Sequence, residues 1–185
     1  MNRSLLSVVV LSLCACNYTP LPSNDPDSGV SCLASQVPAG SGTTSGTNAF
    51  AVGSSYQRSG QYVNPDSGVV TGAQLDVRLQ AAAVACASDA GAPGGESFFA
   101  TIIQSGADRV AAGTFPVSGT QDGGSASFIG IGGFDGGARI ATRGSLTLSS
   151  VQACSVSGSF AVDFPLGDGG FDPFSGTFSS EYCSR

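Results

Sequence analysis

The clearest regularity along the chain is a two-residue alternation near its C-terminal end. Cys154, Val156, Gly158, Phe160, Val162 and Phe164 share one parity, and Ser155, Ser157, Ser159, Ala161 and Asp163 share the other. Successive side chains of a strand point to opposite faces, so this pattern predicts a strand with one buried and one wet face. Leu75, Val77 and Leu79 alternate with Gln74, Asp76, Arg78 and Gln80 in the same way, as do Leu146 and Leu148 with Ser and Thr, while Phe98 to Ile103 is a short apolar run. Between these runs sit Asp89-Ala90-Gly91, Asp122-Gly123-Gly124, Asp135-Gly136-Gly137 and Asp168-Gly169-Gly170. Such clusters suit hairpin turns because Gly accepts positive φ. The Ala-rich stretch Gln80 to Ala87 fits a helical turn as well as a loop. Together these elements predict an all-β domain over residues 47–185, an antiparallel β-sandwich or barrel, with Val156, Phe160, Val162, Phe164 and Phe178 in one core.

A short phrase recurs as Ala112-Gly113-Thr114-Phe115, Ser157-Gly158-Ser159-Phe160 and Ser175-Gly176-Thr177-Phe178. Gly inside a strand marks a bulge, a bend or the close approach of another segment, and the following Phe fills the core beside it. The phrase therefore reads as architecture. The last two copies suggest a hairpin in which Phe160 is paired with Phe178, both on the buried face; a one-residue slip would put Phe178 in water. Pro26-Asp27-Ser28-Gly29-Val30 and Pro65-Asp66-Ser67-Gly68-Val69 read as two β-turns.

Composition changes the picture at the N-terminus. Gly (27) and Pro (9) are abundant, and Leu, Ile, Val and Phe make up about 23% of the 185 residues, only slightly above the roughly 20% level below which chains remain disordered. One modest domain with long flexible parts is expected. Arg3 followed by the apolar run Ser4 to Leu13 is too short for a mature transmembrane helix and reads as a cleavable signal over residues 1–15. The run ends in Leu13-Cys14-Ala15-Cys16, which resembles the bacterial lipobox. That likeness implies diacylation of Cys16 and, with Asn17 following, a lipid anchor in the outer membrane. Residues 16–46, rich in Pro, Gly, Ser and Thr, read as a disordered tether that holds the domain off the membrane.

Further likeness lies in Gly144-Ser145-Leu146-Thr147-Leu148, Val156 to Phe160 and Phe174 to Phe178 up to Cys183, together with the earlier Leu75-to-Cys86 segment and Ala112 to Phe115. These phrases resemble small uncharacterised bacterial lipoproteins of the high-GC Gram-negative type. The resemblance implies a compact antiparallel β domain behind a lipid anchor and brings no activity, cofactor or site residue with it.

Chemistry is limited by subtraction. After Cys16 there remain Cys32, Cys86, Cys154 and Cys183, an even number that points to two disulfides in an oxidising compartment. Cys154 lies on the core parity of its strand, whereas Cys183 and Cys86 fall opposite to the apolar positions near them, which favours Cys86 with Cys183 and Cys32 with Cys154. No Cys-x-x-Cys and no His are present, so no zinc site is expected. The chain has no Lys either, which removes Ser-His-Asp triads, Ser-Lys dyads, Cys-His pairs, Walker A loops and Schiff-base lysines. What remains is carboxylate chemistry among Asp76, Glu96, Asp108, Asp163 and Glu181, of which only Asp76 and Asp163 lie in patterned strands, both on the polar parity. Asp163, Asp168 and Asp172 cluster as candidate calcium ligands, but their spacing matches neither the EF-hand loop nor the Gly-Gly-x-Gly-x-Asp repeat, and a hairpin turn kept soluble by Asp fits better. A net charge of −6 without a basic cluster disfavours nucleic acid. The expectation is a non-enzyme without cofactor, a lipid-anchored envelope module that binds another envelope protein or a glycan. The alternative is a small-ligand or glycan-binding lipoprotein, or a degenerate carboxylate hydrolase, with a pocket between the sheets.

Overall fold

The structure is a computed structural model that describes residues 40–64, 67–83, 95–118, 125–133 and 138–183. They form β1 (Ser41–Gly46), β2 (Ser54–Val63), β3 (Val70–Gln80), β4 (Ser97–Ser105), β5 (Gly113–Pro116), β6 (Ala126–Gly132), β7 (Arg139–Ile140), β8 (Arg143–Val151), β9 (Ser155–Pro165) and β10 (Phe171–Tyr182). The fold is all-β, as the alternation predicts. Gln80 belongs to β3, and Ala81 to Ala83 are not helical; the rest of the Ala-rich stretch lies outside the described residues.

The strands form one sheet in the order β5-β8-β9-β10-β2-β3-β4-β6-β7, with β1 also on β10. Every ladder is antiparallel except β10 with β2, which run parallel at Glu181–Tyr56 and Tyr182–Gln57. The sheet is therefore mixed where a purely antiparallel one was expected. The cause is the length of β10: β1 occupies its edge from Phe174 to Ser179, and β2 takes the remaining end. At this corner the sheet doubles over, so that β8, β9 and β10 face β3, β4 and β6 across a shared core. Among the described residues its far ends meet at the bridge Val117–Ser127 and through hydrogen bonds from Ser118 N to Ser127 O and from Ser127 Oγ to Pro116 O, and the sheet is not closed into a barrel.

β1 is a second correction. Its Ser-Gly-Thr-Thr-Ser-Gly sequence carries no apolar residue, which placed it in the 16–46 tether, yet it pairs with β10 over six residues. Its order comes from main-chain hydrogen bonds to a long neighbouring edge rather than from burial of its own side chains. The folded domain therefore begins no later than Ser41, not at residue 47.

The hairpin of β9 and β10 turns at Asp168-Gly169-Gly170 as expected. Leu166 N donates to Gly170 O at 2.9 Å, Asp168 Oδ1 accepts from Gly170 N at 2.9 Å, and Gly169 takes φ +85°. The other three Asp-Gly clusters lie outside the described residues. Of the second Pro-Asp-Ser-Gly-Val copy, Ser67 to Val69 are described between β2 and β3, where Asn64 N donates to Val69 O at 2.9 Å and Gly68 N to Asn64 O at 2.8 Å; Pro65, Asp66 and the first copy lie outside the described residues.

Val156, Phe160, Val162, Phe164 and Phe178 all face one core. The register differs from the expected one: Phe160 stands opposite Gly176, and Phe178 opposite Gly158. A shift of two residues keeps each side chain on its face, so the burial argument holds while the partner changes. A Cβ at Gly176 would sit 2.6 Å from Phe160 Cζ, and one at Gly158 would sit 2.7 Å from Phe178 Cζ. Each glycine thus leaves room for the ring across the ladder. Phe160 also stacks on Phe98 of β4, with centroids 4.1 Å apart and planes at 17°, which joins the two layers.

Two substitutions test this packing. Phe160→Ala should cost about 3 to 5 kcal/mol, as buried Phe truncations do, and Gly176→Ala about 1 to 3 kcal/mol, because it forces a Cβ against the ring and against Thr43 O. Ser157→Ala on the outer face should cost well under 1 kcal/mol. Urea melts of the three variants should rank them in that order.

Candidate functional site

The middle of the outer face of β5, β8, β9, β10 and β1 is built mostly of hydroxyls, and at one end of it Arg143 lies over the exposed Phe171 ring at 3.8 Å beside Asp163. Thr114, Thr147, Ser159, Thr177 and Thr43 stand in register across these strands. On one side runs a row of Ser149, Ser157, Ser179 and Ser41, and on the other Pro116, Ser145, Ala161, Ser175 and Ser45. Strand geometry spaces such hydroxyls by about 4.8 Å between strands and roughly 6.7 Å along them. Neighbours bond to one another, as in Thr114 Oγ1 with Thr147 Oγ1 at 3.0 Å and Thr43 Oγ1 with Thr177 Oγ1 at 2.9 Å. No charged or aromatic side chain stands in these three rows. The face arises from the same Ser-Gly-Ser/Thr-Phe phrase that fills the core: alternate residues are small or aromatic inward and hydroxylic outward.

The opposite layer presents a different outer face. Arg78 lies over the Phe99 ring at 5.2 Å, and Phe99 packs beside Phe128 at 6.1 Å. Asp76 is half-buried there and accepts from Thr101 Oγ1 at 2.6 Å and from Gln74 Nε2 at 3.0 Å. Asp163 sits on the outer parity of β9, so the core separates it from Asp76 and the two carboxylates do not converge. Glu96 and Asp108 are exposed, and Glu181 is half-buried at the corner beside Tyr56.

Asp172 was missed as a buried group. It faces inward on β10 with a side chain 7% exposed, and its Oδ2 accepts from Arg139 Nη1 at 2.9 Å and from Asn48 Nδ2 at 2.7 Å. Arg139 in turn lies over the Phe164 ring at 5.3 Å. Asp172 and Asp163 are on opposite faces of the hairpin and Asp168 caps its turn, so the three do not form a calcium site. Among the described residues no group of three metal-ligating side chains exists.

At the end of the sandwich near the β8–β9 turn lies a cleft of about 290 Å³, between β2 and β3 on one side and Asp108 to Val110, Val151 to Ala153 and Val156 on the other. It exists because β2 is inverted. The β2 residues opposite Leu79, Val77, Leu75 and Ala73 are Ser55, Gln57, Ser59 and Gln61, of which Ser55 and Gln57 are buried and Ser59 and Gln61 exposed. Small and polar side chains here leave the inner space at this end unfilled. Ser55 satisfies itself by a hydroxyl hydrogen bond to Ser180. Gln57 does not: it is 3% exposed, lines the cleft, and its Oε1 has no hydrogen-bond partner. Tyr56 and Tyr62 stand on the other parity of β2 and are buried outside the main core, Tyr56 against Cys183, so the alternation of β2 points away from the cleft wall.

Of the cysteines singled out by sequence, Cys16, Cys32 and Cys86 lie outside the described residues. Cys154 is half-buried at the start of β9, where its carbonyl accepts from Tyr182 N at 2.9 Å. Cys183 is buried against Tyr56, apart from the main core, which agrees with its parity. No family model, curated protein or solved structure matches this chain.

Two stability effects follow. Gln57→Leu should leave the domain as stable or raise its stability by about 1 kcal/mol, since it removes an unsatisfied buried acceptor. Asp172→Ala should cost about 2 to 3 kcal/mol, between the exposed and fully buried ion-pair cases, because Arg139 keeps partial access to water. Paired denaturant melts measure both.

Proposed function

We propose that this chain is a lipid-anchored envelope protein of the outer membrane, acylated at Cys16 after removal of residues 1–15, whose β domain is an interaction module and not an enzyme. The observation that carries this reading is the hydroxyl face across β5, β8, β9, β10 and β1. Hydroxyls both donate and accept hydrogen bonds, so a broad uncharged array of them suits a neutral, polar partner, either another envelope protein or a glycan. The three hydroxyl rows themselves carry no aromatic side chain, which favours contact with a protein surface over sugar stacking there. The Phe-filled core behind the face gives it a fixed shape. The net charge of −6 favours neither nucleic acid nor an acidic partner.

The anchor reading is supported by the lipobox pattern and the resemblance it carries. Two disulfides, Cys86 with Cys183 and Cys32 with Cys154, complete the proposal; the even number of cysteines after Cys16 and the parities of Cys154, Cys183 and Cys86 support it. Each such staple contributes about 2 to 5 kcal/mol in a small secreted domain. Peptide mapping without reduction gives the connectivity.

Two measurements test the function. Cys16→Ser should abolish acylation and membrane fractionation, and an unmodified Cys16 in the natively exported protein contradicts the anchor. Crosslinking pull-downs from the native envelope should recover a defined partner with the wild-type chain and lose it with Ser159→Arg combined with Thr177→Arg. Arginines on the outer face of the opposite layer, such as Thr101→Arg, should leave capture intact; equal loss from both faces contradicts the assignment.

A further inference from the structure

We infer that the cleft beside Gln57 is a binding site for a small neutral molecule with an apolar body and one N–H or O–H donor. The inference stands apart from the hydroxyl face and the lipid anchor, since it rests on a different end of the domain. Three features carry it. The cleft has a volume of about 290 Å³, near the lower bound of roughly 300 Å³ for small-molecule sites. Its inner wall is apolar, with Ala73, Leu75, Val110 and Val156 all buried. Gln57, which lines it, carries a buried acceptor, Oε1, that no protein group satisfies.

Buried polar groups are almost always hydrogen-bonded, by protein or by a bound molecule. A buried carbonyl acceptor on an apolar inner wall, under a rim that carries Ser59, Gln74 and Gln152, is complementary to a ligand that brings a donor to that wall and buries hydrocarbon against it. The charged residues at this cleft, Asp108 and Arg109, are both exposed and opposite in sign. They favour neither an anion nor a cation, which leaves a neutral ligand as the fitting class. An amide or an alcohol on a compact hydrocarbon ring has this chemistry.

The test uses the full chain with methyl-resolved NMR and two matched probes, cyclohexanecarboxamide and cyclohexyl methyl ketone. They share size and shape, but the ketone lacks a donor. The amide should shift the methyl signals of Leu75, Val110 and Val156 saturably and bind at least tenfold more tightly than the ketone, equivalent to about 1.4 kcal/mol. Gln57→Leu should reduce that ratio to near one, and Val110→Phe should fill the cleft and weaken both probes. The wild-type ratio stands as evidence even if a variant fails to fold. Absence of saturable shifts at the solubility limit, shifts confined to other residues, equal binding of the two probes by the wild type, or a ratio unchanged in folded Gln57→Leu would each overturn the inference, the first leaving water as the occupant that satisfies Gln57.

Discussion

Phe160 holds this domain together in two directions. Its ring stacks on Phe98 from the opposite layer at 4.1 Å and lies over the bare backbone of Gly176 on the adjacent strand. Phe174 joins the same group, 5.5 Å from Phe160 and 6.2 Å from Phe98. Aromatic pairs of this kind contribute about 0.5 to 1.5 kcal/mol beyond their area, and the register they impose decides which residues of β9 and β10 face water. Were the ring of Phe160 to meet a side chain instead of Gly176, the layers would have to separate or the hairpin slip.

From that constraint follow both surfaces assigned function. With glycine and phenylalanine alternating inward, the intervening positions of β9 and β10 point outward, and they are serine and threonine. The strands on either side, β8, β5 and β1, continue the hydroxyl rows because antiparallel pairing sets their residues in register. At the other end of the core the aromatic group stops. There β2 contributes Gln57 and Ser59 where a larger apolar residue would close the space, and the cleft is what remains.

The alternation at 154–164 and the parity of Leu75, Val77 and Leu79 were enough to read the fold class, the core face and the hairpin at Asp168. Local pattern failed where order comes from partners. β1 has no apolar side chain and is held by the edge of β10. The parity of β2 at the cleft is polar and its tyrosines are buried on the other, so its alternation misleads. The register of Phe160 was missed because burial distinguishes faces, and a two-residue shift leaves the face unchanged; choosing between Phe178 and Gly176 requires knowing how closely the strands and rings pack. The buried Asp172 was invisible for a similar reason, since its partners Arg139 and Asn48 lie 33 and 124 residues away in sequence. The hydroxyl face was legible residue by residue, but its continuity across five strands depended on the sheet order.

The most direct test of the aromatic-over-glycine register is the proton NMR environment of Gly176. An α-proton beneath the Phe160 ring should be shifted strongly upfield, with nuclear Overhauser contacts to the Phe160 ring, and those ring protons should also contact Phe98. Phe160→Leu should return the Gly176 signal to an ordinary strand value. A Gly176 α-proton without ring-current shift in the wild type, together with Phe160 contacts to the Phe178 backbone directly across the ladder, would contradict the register on which the core and both surfaces depend.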